Sequence, residues 1–133
     1  MPNVISVTSA SQFDELIQDC KKAILVDFSA HWCAPCRALF PILERIALGS
    51  ERLLLLKVDV DQMPDLAARY HIRSLPTVLL FNRGVLQDQF QGSKTESQVQ
   101  AFLKPYLQRP FEKLLEQAQS APAEQRLALQ REA

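Results

Sequence analysis

Ala23-Ile24-Leu25-Val26-Asp27-Phe28-Ser29-Ala30-His31-Trp32-Cys33-Ala34-Pro35-Cys36-Arg37 is the stretch on which the reading of this chain turns. Its first seven residues are nearly continuous in apolar side chains, the signature of a strand covered on both faces. Apolar residues then recur at helical spacing through Leu39, Phe40, Ile42, Leu43, Ile46 and Ala47. A buried strand therefore feeds directly into a helix, and two cysteines separated by two residues stand at the junction. Residues three apart on a helix are neighbours, so the sulfurs of Cys33 and Cys36 can meet and bond.

The thiolate is the reactive form of cysteine. Free backbone N–H groups and the positive end of the dipole favour negative charge at a helix start. Cys33 is expected at that start, open to solvent, and Cys36 inside the first turn, more shielded. Two close sulfurs in unequal surroundings suit disulfide exchange: the outer one attacks, the inner one resolves. Pro35 fits the first helical turn, where its missing N–H is not needed. It also removes one donor that could stabilise a thiolate. Trp32 is a large flat surface with one polar handle and reads as a contact for incoming polypeptide.

Other uses of two cysteines fit less well. Structural zinc takes four ligands from Cys and His, and beyond this pair the chain offers only Cys20, His31 and His71. No metal site is expected. A purely structural disulfide is unsupported by any wider cysteine framework.

Outward from this centre, Val4–Val7 reads as a first strand near a sheet edge. Ser9-Ala10-Ser11-Gln12 offers a capping box for a helix carrying Phe13, Leu16 and Ile17 on one face. Cys20 closes that helix; a small buried hydrophobe is the better reading, a regulatory thiol the lesser. Asp27 is anomalous inside its apolar strand. A desolvated carboxylate there has its pKa raised toward neutrality; local hydrogen bonds satisfying it are the alternative. Pro41 should kink the second helix and Gly49 stop it. Leu53–Asp59 is another strand buried on both faces, Pro64 opens a short helix, and Asn82-Arg83-Gly84 joins two strands as a tight hairpin. Thr95 or Ser93 caps a helix that turns Val99, Phe102, Leu103, Tyr106 and Leu107 inward. The order is βαβαβαββα, an α/β fold.

The 133 residues contain fifteen basic and fifteen acidic side chains, so no charge excess points to nucleic acid or an anionic membrane. Apolar content of 47% suits a globular protein. No run approaches the roughly 20 apolar residues of a membrane span. The amino terminus lacks the pattern of a secretory leader, so a reducing, cytoplasmic setting is expected.

Trp32-Cys33-Ala34-Pro35-Cys36-Arg37 resembles the thioredoxin active-site motif, with Ala34 where glycine is usual. Leu25-Val26-Asp27-Phe28, Pro41, Lys57-Val58-Asp59-Val60-Asp61, Ile72-Arg73-Ser74-Leu75-Pro76-Thr77 and Gly92 match the family pattern in order and spacing, over about residues 3–108. The resemblance implies a thioredoxin fold with a central mixed five-stranded sheet and helices on both faces. It implies that Cys33 attacks, that Cys36 resolves, and that Asp27 takes a proton from Cys36 with Lys57 close by. A strand-end ion pair from Lys57 to Asp59 or Asp61 is the structural alternative. It further implies a cis peptide bond at Leu75-Pro76 facing the cysteines, although X-Pro bonds are otherwise mostly trans. Trp32, Pro35, Leu75, Pro76 and Gly92 would border bound substrate, with Gly92 allowing close backbone approach. No cofactor is expected on the chain itself; electrons would come from NADPH through a thioredoxin reductase. Ser29 departs from the family, where a second tryptophan is usual, so the neighbouring pocket should be less aromatic. His31 could tune potential near neutral pH, or simply be solvated.

Residues 109–133 read as a helical carboxy-terminal extension of a domain spanning 1–108. Phe111, Leu114, Leu115 and Ala118 form one apolar stripe, and Pro110 separates it from the preceding helix. With Asp88-Gln89-Phe90-Gln91-Gly92, this tail is similar to chaperone-like thioredoxins that carry helical repeats, but it is too short for a repeat array. Two functional readings follow: a thiol–disulfide oxidoreductase acting on protein disulfides, or a redox-regulated module holding unfolded client polypeptides.

Overall fold

The fold comes from a computed structural model, which describes residues 3–107. Strand β2 (Ala23–Ser29) lies at the centre and is buried along its whole length. Its neighbours are β3 (Leu53–Asp59) and β4 (Thr77–Asn82), with β1 (Val4–Ser6) and β5 (Val85–Gln91) at the edges, in the order β1-β3-β2-β4-β5. β1 and β2 run parallel to β3, whereas β4 runs antiparallel to both β2 and β5. The expected mixed sheet, the edge position of the first strand and the element order are all found.

Alternation along the strands explains the two layers. Ile24, Val26 and Phe28 join Leu54, Leu56, Val58, Leu79 and Phe81 on one face, against Phe13 and Ile17 of α1 (Ala10–Asp19) and Leu66 of α3 (Pro64–Arg69). The opposite residues, Leu25, Leu53, Leu55, Val78 and Leu80, are equally buried, as are Leu39, Leu43 and Ala47 of α2 (Ala34–Leu48). Four rings weld the first layer: Phe13, Phe28, Tyr70 and Phe81 lie with centroids 5.8–6.2 Å apart, mostly edge to face. Each such pair contributes about 0.5–1.5 kcal/mol beyond burial itself. Cys20 caps α1 and packs half-buried against this core, in keeping with the hydrophobe reading.

Local chemistry sets the boundaries. At α1 the Gln12 N–H donates to Ser9 Oγ (3.1 Å), while Gln12 Oε1 accepts from the Thr8 N–H (2.7 Å) rather than from Ser9. Thr95 and Gln98 form the reciprocal box at α4 (Glu96–Leu107), which identifies Thr95 as its cap. Gly49 caps α2, and Pro41 sits inside that helix. The β4–β5 turn places Arg83 at φ +55° and Gly84 at φ +81°, the pair of positive values that a two-residue hairpin needs.

The chain divides into two compact units, Met1–Ala101 and Phe102–Ala133. The first contains the sheet, α1, α2 and α3. Of the second, the described part is the end of α4, where the Phe102 and Tyr106 rings lie 6.4 Å apart. The expectations for residues 109–133 lie outside the described residues.

Candidate active site

The carboxyl end of β2 runs into Ala30-His31-Trp32, and Cys33 is the N-cap of α2. The Cys33 N–H donates to the Ala30 carbonyl (3.1 Å), which folds the chain over before the helix starts. Cys33 and Cys36 form a disulfide with Cα atoms 5.3 Å apart. The Cys36 N–H donates to Cys33 Sγ at 3.3 Å, so the cap position delivers a backbone donor to that sulfur. Pro35 lies in the first turn, as its missing N–H permits.

One expectation needs correcting. Cys33 is not open to solvent: it is 6% exposed, against 3% for Cys36. Both sulfur residues pack with Ala30, and Val60 and Leu75 close over them. Their inequality lies in hydrogen bonding, since Cys33 Sγ receives the helix N–H. The exposed member of the motif is Trp32, at 61%. Its indole N–H donates to Asp61 Oδ2 at 2.8 Å, a tether the sequence reading missed. Asp61 stands just beyond β3, and only the parallel pairing of β2 with β3 brings the two together.

Asp27 is fully buried, and neither carboxylate oxygen has a hydrogen-bond partner among the described residues. No described residue supplies the local hydrogen bonds that the alternative reading needs. Burial pushes its pKa up to about 7, with Lys57 pulling in the opposite direction. Asp27 and Lys57 are register partners across β2 and β3. The Lys57 ammonium lies over the Phe40 ring, 4.4 Å from its centre. Among the described residues it makes no ion pair with Asp59 or Asp61. Lys57, Cys36, Phe40 and Ser29 border a cavity of about 300 Å³, where the sequence led us to expect less aromatic filling. His31 is exposed, and its carbonyl accepts from Arg37 (2.7 Å).

The Leu75-Pro76 bond is cis, as the resemblance implied. Pro76 precedes β4 and Gly92 follows β5, and the Gly92 N–H donates to the Pro76 carbonyl at 2.9 Å. Gly92 adopts φ +83°, but a Cβ built there would meet nothing within 4 Å. Within this chain the glycine is thus required for its backbone conformation, not for space. A groove of about 500 Å³ runs along the disulfide, lined by Trp32, Cys33, Pro35, Val60, Arg73 and Leu75 among others. Sequence reasoning quoted Val60 and Arg73 inside motifs without giving them a role; their approach to Cys33 depends on where two loops end. No group of three or more His, Cys, Asp or Glu suited to a metal occurs among the described residues. No described helix is long and apolar enough to cross a membrane.

Comparison with known proteins places these features in a family context. The family model for thioredoxin matches residues 4–105. The chain is 41% identical over 108 residues to the thioredoxin of Buchnera aphidicola, covering 80% of this chain and 99% of that one. It is 38% identical to the thioredoxin of Mycoplasmoides gallisepticum, over 74% of this chain and 97% of the relative. A mutant thioredoxin from Halobacterium salinarum superposes with a TM-score of 0.75 at 29% identity, covering 81% of this chain and 95% of the other. The polypeptide-holding alternative finds no support in these likenesses.

Proposed function

The chain belongs to the thioredoxin family and is a thiol–disulfide oxidoreductase, and from that premise we propose that it reduces protein disulfides, with Cys33 as attacking and Cys36 as resolving residue. The observation that carries this reading is the Cys33–Cys36 pair at the start of α2, with the Cys36 N–H directed at Cys33 Sγ. In the dithiol form that donor stabilises a Cys33 thiolate, as does the helix dipole. The thiolate attacks one sulfur of the target disulfide. A Cys33–target disulfide forms, and the other target sulfur leaves as a thiolate and takes a proton from water. The Cys36 thiol then gives its proton to the Asp27 carboxylate and attacks Cys33 Sγ. The Cys33–Cys36 bond closes, the second target sulfur leaves, and two electrons have passed from this chain to the target.

Asp27 suits the proton step because burial brings its pKa to about 7, where a carboxylate both accepts and returns a proton near neutrality. Lys57 is placed beside it to moderate that shift. Trp32, Pro35, Leu75, Pro76 and Gly92 border the bound target, whose extended backbone pairs beside Leu75. A cytoplasmic thioredoxin reductase using NADPH restores the dithiol, and the chain binds no cofactor of its own. Residues 1–108 carry this chemistry, and 109–133 are an addition to it.

Insulin reduction, coupled to NADPH and a thioredoxin reductase, tests the direction. Steady turnover that is lost in Cys33→Ser supports a reductant. Titratable thiols without turnover, together with a Cys33–Cys36 potential well above that of cytosolic glutathione, would overturn it.

A further inference from the structure

The groove beside Cys33 is apolar along most of its wall, and Arg73 is the single charged residue among those lining it. Arg73 is exposed and makes no ion pair or hydrogen bond with any described residue. Three other exposed arginines are engaged: Arg69 with Asp14, Arg45 with Glu96, and Arg37 with the His31 carbonyl. Asp61, which accepts from the Trp32 indole, is not among the groove residues. A free guanidinium at an apolar wall presents a forked donor set that matches a carboxylate. Its place is two residues before Leu75, the residue that packs on the cysteines. Both residues line the groove from the loop that precedes β4, and two residues of chain span at most about 7 Å, the length of two residues of an extended target.

We infer that Arg73 is a specificity-determining residue, which favours target disulfides carrying an Asp or Glu about two residues from the cysteine that Cys33 attacks. This rests on the disulfide-reducing reading above. A target segment paired beside residues 73–75, with its cysteine at Cys33, sets its neighbour two positions along against the guanidinium. The carboxylate adds an ion pair there, and a lysine at the same position meets a like charge. Partly exposed ion pairs of this kind alter rates by about two- to five-fold.

The test uses the full chain, reduced beforehand with dithiothreitol and freed of it. It is mixed in single turnover with three disulfide peptides that differ only in Glu, Gln or Lys at that position. Rates are read from target thiol release, and only the ratios within each protein variant are compared. Wild type should reduce the Glu peptide about three-fold faster than the Gln peptide and the Lys peptide slowest, with the spread shrinking at high salt. Arg73→Gln should bring the ratios close to one, and Arg73→Glu should reverse them. Lys21→Gln, which removes an exposed positive charge at the opposite end of β2, should leave the wild-type ratios in place. Equal ratios in wild type, or an unchanged order in Arg73→Gln, would overturn the assignment. If no peptide is reduced by any variant, the disulfide-reducing reading itself fails and this inference falls with it.

Discussion

Asp27→Asn removes a buried charge whose oxygens accept no hydrogen bond from any described residue, while keeping the shape of the side chain. In the folded protein Asp27 holds its proton up to about pH 7; in the unfolded chain it releases it near the ordinary value of 3.8. Between those points the folded state binds more protons, so rising pH destabilises it. The shift of about three units corresponds to about 4 kcal/mol at 1.36 kcal/mol per unit. Below about pH 4 both states are protonated and the penalty vanishes; above about pH 7 it is complete. The Asn amide, unpartnered in turn, has its own cost of about 1–3 kcal/mol, but that cost does not change with pH. The informative quantity is therefore a difference of differences. Urea unfolding of the oxidised proteins from about pH 4 to about pH 8 should show the variant gaining about 4 kcal/mol relative to wild type. Keeping Cys33 and Cys36 oxidised removes their titration from the comparison. Stability curves that stay parallel, to within about 1 kcal/mol, would refute the claim that burial raises this carboxyl group.

The remaining predictions probe other parts of the same argument. Cys36→Ser should accumulate Cys33-linked target as a mixed disulfide, visible on a non-reducing gel and released by dithiothreitol; Cys33→Ser should trap far less. Phe13→Ala opens the ring cluster that joins α1 to the sheet and should cost about 3–5 kcal/mol in denaturant unfolding. Gly92→Ala meets no steric neighbour but must hold φ +83°, so a loss of about 1–2 kcal/mol is expected from backbone strain alone. A loss near zero would show that the backbone relaxes there.

Much of the site was legible because its residues are close in the chain. A strand buried on both faces must read as apolar, and a helix start must supply free N–H groups; both demands are written locally between Ala23 and Arg37. The anomaly of Asp27 was visible for the same reason, as a charge in an apolar run. The capping boxes at Ser9 and Thr95 involve residues three or four apart, so they too could be read directly, although Gln12 reaches Thr8 instead of Ser9. The burial of Cys33 could not, since Val60 and Leu75 come from two distant loops.

The order of apolar runs, turn residues and caps determined the βα succession and the placing of two cysteines at a helix start, because hydrophobic periodicity and capping act over a few residues. Tertiary structure alone decided the partners. Lys57 comes beside Asp27 through β2–β3 register, Asp61 holds Trp32, and Arg73 lines the Cys33 groove without a counter-ion among the described residues. Each of these depends on strand pairing and loop closure across 29 or more residues, and on how far burial removes water from a charge; neither is encoded in any short stretch of sequence.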